Sequence, residues 1–173
     1  QITELKPAKT VIDLRQNRGG NGHATRPMVD VLASHPHLET GGQLYVLIGR
    51  QTYSAAVNFA TMLENRAGAT LVGQASGQGP SHYGDPKIFQ LPKSGIFVSL
   101  SSKLWLGRPI LDITEALKPH QRVAYKIADA ADGRDPALAF VKTHQAERTG
   151  AFVPSQSIPL GRYSLEGAFD DRT

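Results

Sequence analysis

The chain has 173 residues, 40% of them hydrophobic, and its 19 Lys and Arg against 15 Asp and Glu give a net charge of +4. That is enough for one domain with a sizeable core, while basic residues scattered without a Lys/Arg block or a basic–aromatic stripe argue against nucleic-acid binding. No apolar run reaches the ~18 residues of a membrane-crossing helix, and the absence of cysteine excludes disulfides, thiolate catalysis and cysteine-ligated metal centres.

In chain order, KTVIDL (9–14) reads as a short buried strand and RQNRGGNG (15–22) as a polar, glycine-rich loop. HATRPMVDVLASH (23–35) has Met28, Val29, Val31 and Leu32 at helical spacing, with Pro27 near the start, where proline is tolerated. QLYVLIG (43–49) is a second buried strand. A helix then runs from Ser54, burying Val57, Phe59, Ala60, Met62 and Leu63, and stops near Gly68. ATLVG (69–73) is a third short strand. This strand–helix alternation predicts an α/β layer arrangement with parallel strands.

Further on, QASGQGPSHYGDP (74–86) is dense in Gly, Pro and Ser and reads as a long loop. KIFQLP (87–92) and IFVSLSSKLW (96–105) read as the strands of a hairpin. The second alternates Phe97, Ser99, Ser101 and Lys103 on one face with Ile96, Val98, Leu100 and Leu104 on the other. RVAYKI (122–127) is expected as an edge strand and DPALAFVKTHQ (135–145) as a last helix. From about residue 147 the pattern decays into an extended tail, 147–173, which is either disordered or wrapped on another surface; its anchors Phe152, Ile158, Leu160, Tyr163 and Phe169 favour wrapping, on its own core or on a neighbouring copy. The division is therefore a core over 1–146 and a tail over 147–173.

Ser54, between LYVLI and SAAVNFATMLEN, sits on a strand-to-helix turn. It is either a helix N-cap, a role serine favours, or a nucleophile at a helix N-terminus. There the unpaired N–H groups and positive dipole end favour developing negative charge. The N–H of Ala55 would stabilise an oxyanion, and small Ala55 and Ala56 leave room for a peptide carbonyl. Taken alone, Gly19 and Gly20 are turn residues, and Asp13 and Arg15 an ordinary loop ion pair.

The order DLRQNRGG (13–20), YSAAV (53–57), VGQASG (72–77), KPH (118–120) and GRDP (133–136) resembles the motif series of the C-terminal processing, or tail-specific, serine peptidases. The resemblance covers roughly residues 9–143. It implies a crotonase-like (ClpP/crotonase) α/β fold of β-β-α units, Ser54 as nucleophile, and an oxyanion hole from Ala55 and the Gly19–Gly20 loop. It implies a peptide or protein substrate, no metal or organic cofactor, and a periplasmic or secreted setting. In that family the DLR strand is not the start of the core. The expectation is therefore the C-terminal part of a longer protein, with little peptidase activity in this chain alone.

The departures bear on the base. Many relatives place a catalytic lysine about 25 residues after the serine, but GQASGQGPS (73–81) has none, and Lys87 lies beyond the loop. LPKSG (91–95) matches a lysine-free branch, and in the tricorn-type peptidases of this fold the base is a histidine upstream of the oxyanion loop, with a downstream carboxylate orienting the network. His82 is read three ways: as the base, since imidazole titrates near neutrality, as a binder of substrate backbone or terminal carboxylate, or as an exposed loop histidine. Tyr83 is a candidate hydrogen-bond donor to substrate and Glu115 a candidate orienting carboxylate. His23 is expected to open a helix. His120 replaces the family's aspartate, so that residue's role does not carry over. The alternative function is a non-catalytic ligand- or peptide-binding module on the same scaffold. An acyl-CoA enzyme of crotonase type, which needs no serine nucleophile, is a weaker third reading.

Overall fold

A computed structural model describes residues 2–40, 43–108 and 111–144. The elements in chain order are α1 (Ile2–Leu5), β1 (Lys9–Asp13), a 3₁₀ turn (Gly22–Thr25), α2 (Arg26–Ala33), α3 (Pro36–Thr40), β2 (Gln43–Ile48), α4 (Ala55–Ala67) and β3 (Thr70–Gly73). They continue with β4 (Ser81–Gly84), β5 (Lys87–Gln90), β6 (Phe97–Leu100), β7 (Lys103–Leu106), β8 (Gln121–Arg122), α5 (Ile127–Ala131) and α6 (Pro136–Thr143).

A four-stranded sheet in the order β1-β2-β3-β8 is parallel throughout, with Val11 opposite Tyr45 and Val46 opposite Leu71. Its centre is β2, whose apolar run is buried on both faces, as a covered parallel strand requires. Leu44, Val46 and Ile48 pack with Val29 and Leu32 of α2 and with Val57, Ala60 and Leu63 of α4. Tyr45 and Leu47 face the other way and pack with Val72 of β3 and with Ala137 and Val141 of α6. Each fully buried Leu, Ile or Val contributes about 1.5–3 kcal/mol, so the best-anchored part of the fold is where β2 and β3 run side by side, while β1, expected as a buried strand, is only partly covered. Because these strands are parallel, the loops that follow them emerge at one end of the sheet, the end where open α/β sheets place their sites. Helix α4 stops at Gly68, whose φ of 62° makes the left-handed turn and whose N–H bonds the Leu63 carbonyl.

Four expectations change. The loop 74–86 contains β4, which pairs antiparallel with β7, His82 opposite Trp105; four residues of Ser, His, Tyr and Gly carry no strand signal until a partner strand supplies the hydrogen bonds. The stretch 96–105 is not one strand but β6, paired to β5, and β7, paired to β4, broken at 101–102. Of 122–127, only the first residue is in β8, where Gln121 and Arg122 form the sheet edge, and Ile127 already belongs to α5. The helix expected over 23–35 begins as the 3₁₀ turn, with α2 proper starting at Arg26. The tail 147–173 lies outside the described residues.

Candidate active site

The turn between β2 and α4 is strapped on three sides. Thr52 is fully buried; its hydroxyl accepts from Gly49 N at 2.9 Å and donates to the Leu14 carbonyl at 2.8 Å. Tyr53 N donates to the Asn17 carbonyl at 3.1 Å. Ser54 N donates to Oε1 of Gln78 at 2.8 Å. Held this way, Ser54 has φ 52° and ψ −125°. Positive φ is rare in non-glycine residues and costs of order 1–3 kcal/mol. An ordinary N-cap sits in the extended region and accepts a helix N–H with its side chain; Ser54 does neither, having no side-chain cap bond.

The glycine loop lies directly against this turn. A Cβ on Gly19 would fall 2.8 Å from the Tyr53 carbonyl oxygen and 2.9 Å from Ala55 N, and its φ is 93°. Only glycine fits there without displacing backbone. The Gly19 N–H is engaged by Oδ1 of Asn17 at 2.9 Å. No hydrogen bond among the described residues engages the N–H of Gly20, at φ 140°, or the N–H of Ala55. The two glycines expected to act together thus divide: Gly19 allows close approach, and Gly20 keeps a donor available.

His82 is buried, 7% exposed, with Nδ1 at 3.0 Å from the Gly79 carbonyl oxygen. That carbonyl accepts only if Nδ1 carries the proton, which leaves Nε2 as the proton acceptor. Desolvation pushes the His82 pKa below the ordinary imidazole value, against the opposing effect of the Gly79 bond. The exposed-loop reading of His82 is therefore corrected by its burial within β4. Tyr83 follows it on the strand and so faces the opposite side, 60% exposed. Glu115 is exposed; its backbone comes against Gly79, but its carboxylate makes no hydrogen bond or ion pair among the described residues. The Ser54 hydroxyl likewise makes no hydrogen bond among the described residues, so neither His82 nor Gln78 is bonded to it.

Gln78 is the residue that sequence reasoning passed over. Its signal is its place, 24 residues after Ser54, in the loop where the resembled family carries its lysine. The loop is fixed by Ser76, whose hydroxyl donates to the Gln78 carbonyl at 2.6 Å and accepts from Leu117 N at 2.8 Å. One helical turn beyond Ser54, the side-chain oxygen of Asn58 is buried without a partner among the described residues.

Two other motif residues fasten loops to the sheet and helices. Arg15 bridges Asp13, at 2.6 Å, and Asp135, at 2.7 Å, and Asp135 also caps α6 by accepting from Leu138 N at 3.0 Å. The side-chain hydrogen bonds from Arg15 are the main cause holding both carboxyls below their usual range. His120 accepts from Leu71 N at 2.9 Å and bonds Glu64 at 3.1 Å, tying the 118–120 turn to β3 and α4. A cleft of about 510 Å³ at the ends of β1, β2 and β3 is lined by Arg15, Gln16, Arg50, Gln74 and Tyr125, and not by Ser54. Among the described residues no three His, Asp or Glu side chains gather as metal ligands, and no helix is long and apolar enough to cross a membrane.

No family model and no curated protein sequence matches the chain. Solved structures do. A candidate S41 protease from Bacteroides fragilis superposes with a TM-score of 0.54 at 17% identity, over 82% of this chain and 44% of its own. A candidate peptidase from Parabacteroides merdae gives 0.55 at 19% identity, over 76% of this chain and 50% of its own. A photosystem II D1 C-terminal processing protease gives 0.49 at 19%, over 70% and 37%. What the first two share with this chain is a fold. The chain spans half or less of the length of these three structures.

Proposed function

We propose that this chain is the nucleophile-bearing part of a serine-type peptidase of the C-terminal processing family, on a crotonase-like core, acting on peptide or protein substrates. The observation that carries the reading is Ser54 itself: a strained, positive-φ serine at the N-terminus of α4 that performs no capping. Strain that persists without a local hydrogen-bond return is typical of functional positions. The Ser54 hydroxyl would attack a peptide carbonyl carbon while a base takes its proton. The resulting oxyanion would lie toward Ala55 N–H and Gly20 N–H. Collapse breaks the C–N bond, the amine leaves with the proton, and water then hydrolyses the acyl-enzyme.

His82 is the local candidate for the base, with Nε2 as its accepting atom. Its missing bond to Ser54 favours a base supplied from outside this sequence, as in the lysine-free, tricorn-like branch. Glu115 and Tyr83 are weaker members of the site: neither touches His82 or Ser54 through a hydrogen bond. Assembly through the tail 147–173 stays a proposal of the same rank.

The second reading, a non-catalytic peptide-binding module, is favoured by Gln78, an amide that accepts a hydrogen bond but takes no proton at neutral pH. A fluorophosphonate probe separates the two. Labelling that disappears in Ser54→Ala supports the peptidase; no labelling of the folded protein, in a form carrying all its natural residues, supports the binder.

A further inference from the structure

The strand pair β4–β7 brings an aromatic side chain to the rim of the candidate site. His82 and Gly84 share one face of β4, and Trp105 and Lys103 stand opposite them on the same face of β7. Trp105 lies over Gly84, where a Cβ would come within 3.0 Å of its Cδ1 and 3.1 Å of its Nε1. Its ring meets that of His23 edge-on, with centroids 6.3 Å apart. His23 follows Gly22, which lies against Ala55: a Cβ on Gly22 would be 3.5 Å from the Ala55 Cβ. A chain of contacts therefore runs from the start of α4, through the glycine loop, to the indole. Lys103 places Nζ 4.2 Å from the ring centroid and bonds Asp85 at 3.0 Å, which holds the cation. The indole is left half-buried.

We propose that Trp105, flanked by His23, forms the wall of a subsite beside Ser54 that takes a large apolar or aromatic side chain of a bound peptide. This rests on the peptidase reading for the direction of the peptide, though the subsite itself needs no chemistry at Ser54. An indole wall offers a large apolar surface and a preferred ring geometry to such a side chain. The alternatives, a small polar or an acidic side chain, would leave that surface wet.

Trp105 is the only tryptophan in the chain, so its emission reports on this place alone. The 173-residue Ser54→Ala chain is titrated with two unstructured peptides that differ at one position, Phe against Asp. The expected result is that the Phe peptide binds roughly tenfold or more tightly, within the range a hydrophobic pocket discriminates, and shifts the Trp105 emission. By calorimetry, Trp105→Ala should erase the preference. Gly84→Ala, which pushes the indole aside without removing it, should reduce it, and this covers the case in which Trp105→Ala fails to fold. Equal affinities, or a bound Phe peptide that leaves the emission unchanged, would overturn the subsite. Fluorophosphonate labelling of the unsubstituted protein, in a form carrying all its natural residues, is scored separately. Labelling without a peptide preference sinks the subsite alone; a preference without labelling supports the subsite and counts against the peptidase.

Discussion

The backbone N–H of Ser54 and the side-chain oxygen of Gln78 lie 2.8 Å apart, so a loop 24 residues downstream holds the candidate nucleophile's own backbone. Replacing the amide by an apolar group of similar shape, Gln78→Met, strands that N–H in a half-buried place and should destabilise the fold by about 1 kcal/mol. Gln78→Glu keeps an acceptor and should lose less. Urea midpoints decide, and an unchanged Gln78→Met would show that the bond contributes nothing. Gln78→Lys places an amine where the resembled family carries one. Its fluorophosphonate labelling rate should climb with pH by about 10²-fold, the lower end of what a general base supplies; a flat profile would mean that a base at this point does not reach the hydroxyl.

The backbone of Ser54 makes its own prediction. An N-cap serine loses about 1 kcal/mol on truncation to alanine. Ser54 makes no cap bond and sits at φ 52°, so Ser54→Ala should change stability by much less than that. Ser54→Gly should stabilise by about 1 kcal/mol, because glycine accepts positive φ without a steric penalty. Both should lose probe labelling. A full cap-sized loss in Ser54→Ala would restore the capping role.

His82 gives the stability a pH dependence. Its folded pKa is depressed, mainly by desolvation, so between that value and the unfolded pKa of about 6.5 the unfolded chain binds more protons. Stability should therefore be complete above about pH 6.5 and fall as the pH drops toward the folded pKa. His82→Gln should flatten that part of the curve. Denaturant midpoints at half-unit steps of pH would show it, and identical slopes in the two proteins would place His82 in water rather than in the β4–β7 ribbon.

Arg15 and Asp135, 120 residues apart, tie the glycine loop to the start of α6. Asp135→Ala removes both the ion pair and the α6 cap and should cost about 1–2 kcal/mol at pH 7. Both Asp13 and Asp135 have lowered pKa values, so their contribution is present above the unfolded carboxyl value and disappears as the pH falls through the folded values. The gap between the native chain and Asp135→Ala should then narrow below about pH 4. A gap independent of pH would leave only the change in helix propensity.

Local chemistry is enough to write the core of this protein. The unbroken apolar run of β2, the Val57–Ala60–Leu63 stripe of α4 and the stop at Gly68 are all sequence patterns, because burial on both faces and helical period leave their marks residue by residue. So is the place of Ser54, since a strand that ends and a helix that begins leave a serine between them. The rest depends on residues that meet only when the chain is folded. β4 becomes a strand because β7 lies beside it. Gln78 matters because a glycine-rich loop, fastened through Ser76 and Leu117, delivers its amide to Ser54. Gly19 and Gly20 look equivalent in the sequence, and they separate only because Asn17 takes one N–H and not the other. The φ of Ser54 has the same origin: no local preference of serine selects 52°, and the straps at Thr52, Tyr53 and Gln78 impose it from three other segments of the chain.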